Sequence, residues 1–173
     1  ELGHITVEKD GPLCTCGNNG CLEALASGRA IAQQARNLIS SGVKTSILEL
    51  TGGDPAKIEA KTVFEAAEKQ DMAAVDLVRK AGEYIGIGIA SYINLLDPEI
   101  IVLGGGMSNE ELLIEQIEKV VKVRRMRFAG RKVQVRVSEL GEYATAIGAA
   151  AIQLKRLLRH GGRLHANGEE EAV

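Results

Sequence analysis

The three cysteines of this chain, Cys14, Cys16 and Cys21, are crowded into one C-x-C-x4-C run, with His4 ten residues upstream. Few patterns restrict a fold so much. Structural zinc takes four N or S ligands at tetrahedral corners, and three cysteines plus one histidine is a standard set. Gly17 and Gly20, on either side of Asn18 and Asn19, give the positive-φ freedom that a loop needs to wrap one ion. A disulfide would pair two cysteines and strand the third. Three buried free thiols fit poorly in a loop rich in Gly, Asn and Pro. The metal set read from the spacing is therefore His4, Cys14, Cys16 and Cys21. His160 and His165, the other candidates for the fourth place, sit near the far terminus.

Two carboxylates flank these ligands. Glu23 opens an alanine-rich helical run, where a carboxylate often does no more than complement the positive helix end. The alternative is that metal binding fixes Glu1, His4 and Glu23 around one pocket, His4 giving one ring nitrogen to the ion and the other to a ligand. Residues 4–8 read as a strand through β-branched Ile5, Thr6 and Val7. A regular strand would send Glu1 and His4 to opposite faces, so a bend at Gly3 is needed to bring them together. An E-x-x-H helix of the di-iron kind is disfavoured by Gly3 and the β-branched run.

The segments E-L-G-H-I-T-V and G-P-L-C-T-C-G-N-N-G-C-L-E-A-L-A-S-G, with I-I-V-L-G-G-G-M-S at 100–108 and T-A-I-G-A-A at 145–150, resemble the ROK family (repressors, open reading frames, sugar kinases). The likeness is greatest to its bacterial glucokinase-like members. It implies that His4 and the three cysteines hold structural zinc and that Glu1, His4 and Glu23 hydrogen-bond the hydroxyls of a hexose, glucose above all. It implies an α/β, ribonuclease-H-like C-terminal domain of the actin/hexokinase-like superfamily, with a mixed sheet flanked by helices and a zinc loop over 4–21. The activity implied is transfer of the γ-phosphoryl of ATP to the sugar 6-hydroxyl, with Mg2+. The phosphate-binding D-x-G segment, the Asn-Asp segment carrying the catalytic base and the triphosphate hairpin of that family have no counterpart here. The chain is therefore expected to be the C-terminal part of the kinase and inactive alone, with no catalytic residue of its own. A sugar-responsive repressor and a zinc-stabilised interaction module are the alternatives. The family also implies a homo-oligomer, a dimer first.

Along the chain, 21–40 reads as two helical pieces with Ser27 capping the second and Gly42 ending it. Residues 43–60 read as a mobile connector, part of a helical insert over about 43–70. Thr62-Val63-Phe64-Glu65 has a capping-box pattern. The longest helix is predicted over 72–96, between Asp71 as cap and Pro98 as stop. Val75, Val78, Gly82, Ile85, Ile89, Ile93 and Leu96 lie on one stripe. Gly82, Gly86 and Gly88 each cost about 1 kcal/mol in a helix, which suits close packing better than room for a nucleotide.

Ile100-Ile101-Val102-Leu103 reads as a strand buried on both faces. Gly104-Gly105-Gly106 and a helix opened by Ser108-Asn109-Glu110-Glu111 follow, an arrangement that suits phosphate or simply a tight turn. It is neither a GxGxxG fingerprint nor a P-loop; the ROK resemblance makes these glycines adenosine contacts. The next helix, 109–125, ends in basic residues that offset its dipole. Residues 132–137 alternate as a half-exposed strand, and 144–158 reads as an alanine-rich helix closing the fold. The domain is taken as 1–160 and 161–173 as a disordered tail. Hydrophobic content of 45%, charge of 25% and a net charge of −2 are those of a globular domain with no general pull on nucleic acid. Aromatics are 3%, too few for base stacking. No apolar run nears the ~18 residues of a membrane span, and reduced thiols on a metal suit the cytoplasm.

Overall fold

The computed structural model describes residues 1–126 and 133–159. Its helices are α1 (Leu22–Ala26), α2 (Gly28–Ser40), α3 (Ser46–Leu50), α4 (Ala60–Glu68), α5 (Met72–Leu96), α6 (Glu111–Arg124) and α7 (Ala144–Arg159), and its strands β1 (Ile100–Leu103) and β2 (Gln134–Val137). The architecture is α/β. The tail over 161–173, His160 and His165 lie outside the described residues.

Helix α5 is the central member. Asp71 caps it by accepting from Ala74 N–H at 3.1 Å, and Asp97 ends it in the left-handed conformation just before Pro98. Val78, Ile93 and Ala81 are fully or almost fully buried, whereas Leu96, at the end of the predicted stripe, is 62% exposed. The helix glycines do pack closely. A Cβ on Gly86 would lie 2.6 Å from the Val120 Cβ, and one on Gly82 2.8 Å from that of Gln116, both on α6. Gly88 faces the other way, against Leu22 and Ile5. With no side chain on these glycines, the α5 backbone lies directly against the Gln116 and Val120 side chains and the Leu113 and Ile117 carbonyls of α6.

Several expectations are corrected. Residues 2–4 form a single 3-10 turn, and 4–8 contribute only a bridge between Thr6 and Cys21 in place of a strand. The segment 43–60 is not a loose connector. It holds α3 and a 3-10 turn at Pro55–Lys57, and it buries Ile47 and Ile58 completely. Asp71 fastens it, its Oδ2 accepting from Ser46 N–H at 2.6 Å and from the Thr45 and Ser46 hydroxyls at 2.9 Å. Helix α4 starts earlier than predicted, with Thr62 in the third position and its hydroxyl accepting from Glu59 N–H at 3.4 Å. Helix α6 starts at Glu111 because Ser108 turns back and donates to the Gly105 carbonyl at 2.8 Å instead of capping.

Strands β1 and β2 pair in parallel, Ile101 opposite Val135. Among the described residues the sheet is two-stranded and parallel rather than mixed. One face of β1 is open, with Ile100 51% and Val102 59% exposed, so the apolar run is not buried on both sides. Among the described residues, helix α7 buries none of its side chains and nothing lies within 4 Å of a Cβ on Gly148, so it does not close the fold there as predicted. No described helix is long and apolar enough to cross a membrane.

Candidate functional site

The cysteine loop is tied at its base. The Thr6–Cys21 and Leu13–Asn19 bridges hold its two limbs, and Gly20, at φ 66°, packs so closely on Glu8 that a Cβ there would meet the Glu8 carbonyl oxygen. Glu8 in turn accepts from Tyr84 Oη at 2.9 Å, pinning the loop to α5. Burial, with Glu8 beside it, pushes the Tyr84 phenol up to about 12.

This tether gathers the four predicted metal ligands. The ligand atoms of His4, Cys14, Cys16 and Cys21 all lie within 4.8 Å of one another. The Cys14 sulfur is 3.6 Å from His4 Nδ1, and the Cys16 and Cys21 sulfurs are 3.6 Å apart. Tetrahedral zinc, with bonds of about 2.0–2.3 Å, places its ligand atoms roughly 3.3–3.8 Å apart. Two pairs already match, and the widest must draw in by about 1 Å. Thiol chemistry points the same way. The Cys16 backbone N–H lowers the Cys14 thiol to about 6 despite its burial, whereas burial and the neighbouring sulfurs push Cys21 up to about 12. Three crowded sulfurs cannot all be thiolates without a cation to share, and the set fits a soft, tetrahedral divalent ion.

The 3-10 turn at Leu2–His4 does what the sequence asked of a bend at Gly3. It sets Glu1 Oε2 3.5 Å from His4 Nε2, and Glu23 Oε2 lies 3.5 Å from His4 Nδ1. A Cβ on Gly3 would touch the Glu23 Cβ at 3.5 Å, so the turn also rests on α1. Nδ1 lies between the Cys14 sulfur and Glu23, and Nε2 faces Glu1. Glu1 is 91%, Glu23 37% and His4 34% exposed.

The sequence alone did not single out Arg29, whose guanidinium is 3.7 Å from Glu23 Oε1. A cation in the first turn of α2 opposes the helix dipole, and that anomaly was the available signal. Arg29, Glu23 and Ser27 line a cleft of 320 Å³ beside the cysteine loop. A larger hollow, 440 Å³ between α4, α5 and α6, contains none of the predicted site residues. Its carboxylates repel: burial, then Glu68, raises the Glu110 carboxyl above its ordinary value.

The glycine turn sits close by. Gly104 packs against Ala144 and Ser138, Gly105 takes φ 110°, and among the described residues nothing lies within 4 Å of a Cβ on Gly106. Just beyond it, the Met107 sulfur is 3.7 Å from where a Gly28 Cβ would be, next to Arg29. The turn after β1 and the carboxylate–histidine group thus occupy the same end of α2.

The ROK family model matches residues 1–156. The chain belongs to the ROK family. Its fold is that of ROK kinases, the actin/hexokinase-like ATPase fold. This ROK chain is 38% identical over 162 residues to the glucokinase of Thermotoga maritima, covering 91% of the chain and 50% of the relative. It is 35% identical to the transcriptional regulator NagC of Escherichia coli, covering 93% of the chain and 38% of NagC. The ROK glucokinase of Streptomyces griseus, solved with glucose and AMPPNP, superposes with a TM-score of 0.78 at 36% identity over 88% of this chain and 50% of that one. The chain spans half or less of the length of these relatives. The family thus contains both glucokinases and repressors of the NagC type.

Proposed function

We propose that this chain is the sugar- and metal-binding part of a glucokinase-like, ATP-dependent hexose kinase. The observation that carries the reading is the position of His4. Its Nδ1 faces the cysteine cluster while its Nε2 faces Glu1, and Glu23 stands beside the ring. Structural zinc on His4, Cys14, Cys16 and Cys21 would supply a fixed charge and a rigid anchor. His4 then holds its remaining proton on Nε2 and offers it to a sugar oxygen, while Glu1 and Glu23 accept from sugar hydroxyls. Such charge-assisted bonds orient the hexose, glucose first, so that its 6-hydroxyl meets the γ-phosphoryl of ATP. Gly104, Gly105 and Gly106 take the adenosine side.

The proton acceptor for the 6-hydroxyl, the phosphate cradle and the Mg2+ ligands belong to parts of the kinase outside these residues. The chain alone is expected not to transfer phosphate. The whole kinase works in the cytoplasm as a homo-oligomer, a dimer first. A sugar-responsive repressor is the second reading, favoured by the 35% identity to NagC. The deciding test is a coupled phosphorylation assay of the full-length protein with Mg-ATP and a panel of hexoses. Hexose-dependent ADP release supports the kinase; sugar binding without turnover, together with sugar-relieved DNA binding, would replace it with the repressor.

A further inference from the structure

We infer that Cys16 and Cys21 form a peroxide-oxidisable thiol pair, a modification site inside the metal cluster; this rests on the reading of that cluster as a metal site. Three observations place the reaction at this pair. First, Cys16 is the exposed cysteine, whereas Cys14 is 5% and Cys21 0% exposed. Second, the Cys16 and Cys21 sulfurs are already 3.6 Å apart, while the Cys14 sulfur is engaged with His4 Nδ1. Third, the two partners differ in freedom. Cys21 is the N-cap of α1, and its backbone is bridged to Thr6. Cys16 rides on the loop tip beside Gly17, which has φ 93° and, among the described residues, no atom within 4 Å of a Cβ. The tip can therefore carry one sulfur toward a fixed one and close the gap to the roughly 2.05 Å of a disulfide.

The co-reactant is a hydroperoxide. The Cys16 thiolate attacks the terminal peroxide oxygen, and the O–O bond breaks. The leaving hydroxide or alkoxide takes up a proton, and Cys16 becomes a sulfenic acid. The Cys21 sulfur then attacks Cys16 Sγ. The S–S bond forms as the Cys21 sulfur gives up the metal, and the departing hydroxide takes a proton from solvent and leaves as water. Two thiols are oxidised by two electrons and one peroxide is reduced, to two waters or to water and an alcohol. His4 and Cys14 remain, and two ligands do not make a tetrahedral site. Since His4 also faces Glu1 and Glu23, oxidation would withdraw sugar affinity along with the metal, and a dithiol reductant would restore both.

The experiment uses the full-length, metal-loaded protein, treated with stoichiometric hydrogen peroxide. Metal release is followed with a chromogenic chelator, and thiols by intact mass and peptide mapping without reduction. The expected result is one bond, Cys16 to Cys21, formed in step with metal release and reversed by dithiothreitol. Cys14→Ser retains the pair and is expected to form the same bond. Cys16→Ser should not form it at equal peroxide. A disulfide through Cys14, direct passage to sulfinic acids, or metal loss with all thiols intact would each overturn the inference. Failure of the metal reading shows separately: the purified protein then carries no stoichiometric metal before peroxide is added.

Discussion

Tyr84, near the middle of α5, donates its phenolic hydrogen to Glu8 at 2.9 Å across 76 residues of sequence. That one bond joins the cysteine loop to the central helix. Tyr84→Phe keeps the ring in place but leaves the carboxylate without its donor. Glu8 is exposed and water can take the donor's place, so the expected cost is about 0.5–1.5 kcal/mol, read as a lower urea midpoint, with weaker metal retention against a chelator. An unchanged midpoint would mean that the loop is held by its backbone bridges and by the packing of Ile5 and Val7 on the core.

Glu23→Ala separates binding chemistry from loop structure. The variant is expected to keep its metal, because Glu23 is not one of the four clustered ligands. It is expected to lose roughly 10- to 100-fold in kcat/KM for hexose, the worth of one charge-assisted bond. A non-catalytic module would show no loss, which steady-state kinetics on the full-length protein would reveal.

At Gly86 the crossing of α5 and α6 has no room for a side chain. Gly86→Ala would improve helix propensity by about 1 kcal/mol but force a methyl to within 2.6 Å of Val120. Overpacking of this kind costs about 1–3 kcal/mol, so the net change is expected to be destabilising. Calorimetry decides the sign, and a higher Tm would refute the packing shown here.

Asp71 predicts an acid-sensitive clasp. Burial works against its ionised form, but the N–H groups of Ser46 and Ala74 and the hydroxyls of Thr45 and Ser46 outweigh it, leaving the carboxyl below its ordinary 3.8. A folded-state pKa below the unfolded one gives stability that is complete above the unfolded value and lost as pH falls through the folded value. Urea midpoints of the native chain and of Asp71→Asn should therefore differ by a constant amount from neutral pH down to about 4 and converge below it. Parallel curves over the whole range would show that the carboxylate charge contributes nothing.

Removing the metal tests the anchor. Dialysis against a strong chelator is expected to lower Tm by roughly 5 °C or more and to expose the amides of the loop to hydrogen exchange, because site and loop form together. Re-addition of zinc should reverse both.

The elements legible in the sequence were those set by local chemistry. Asp71 and Pro98 fix the ends of α5, Ser27 caps α2 by accepting from Ala30 N–H at 3.2 Å, and the cysteine spacing foretells a cluster. What escaped depended on partners far away in the chain. Helix α3 is only five residues long and stands because Asp71 holds Thr45 and Ser46 from another segment. The bend at 2–4 replaces a strand because Gly3 rests on Glu23. Ser108 matched a capping pattern but bonds back to Gly105, and Thr62 joins a capping box as its third helical residue, with Glu59 as the cap. The apolar run of β1 promised two covered faces, yet Ile100 and Val102 lie open among the described residues. Arg29 gave only an electrostatic anomaly.

The three glycines of α5 point two ways: Gly82 and Gly86 onto α6, Gly88 onto Leu22 and Ile5. Dense packing compresses little, so a shift of α6 has no soft layer in which to be absorbed. The helix behind the glycine turn and Leu22, next to Glu23, are thus linked through α5 by contacts that leave no room for a further side chain.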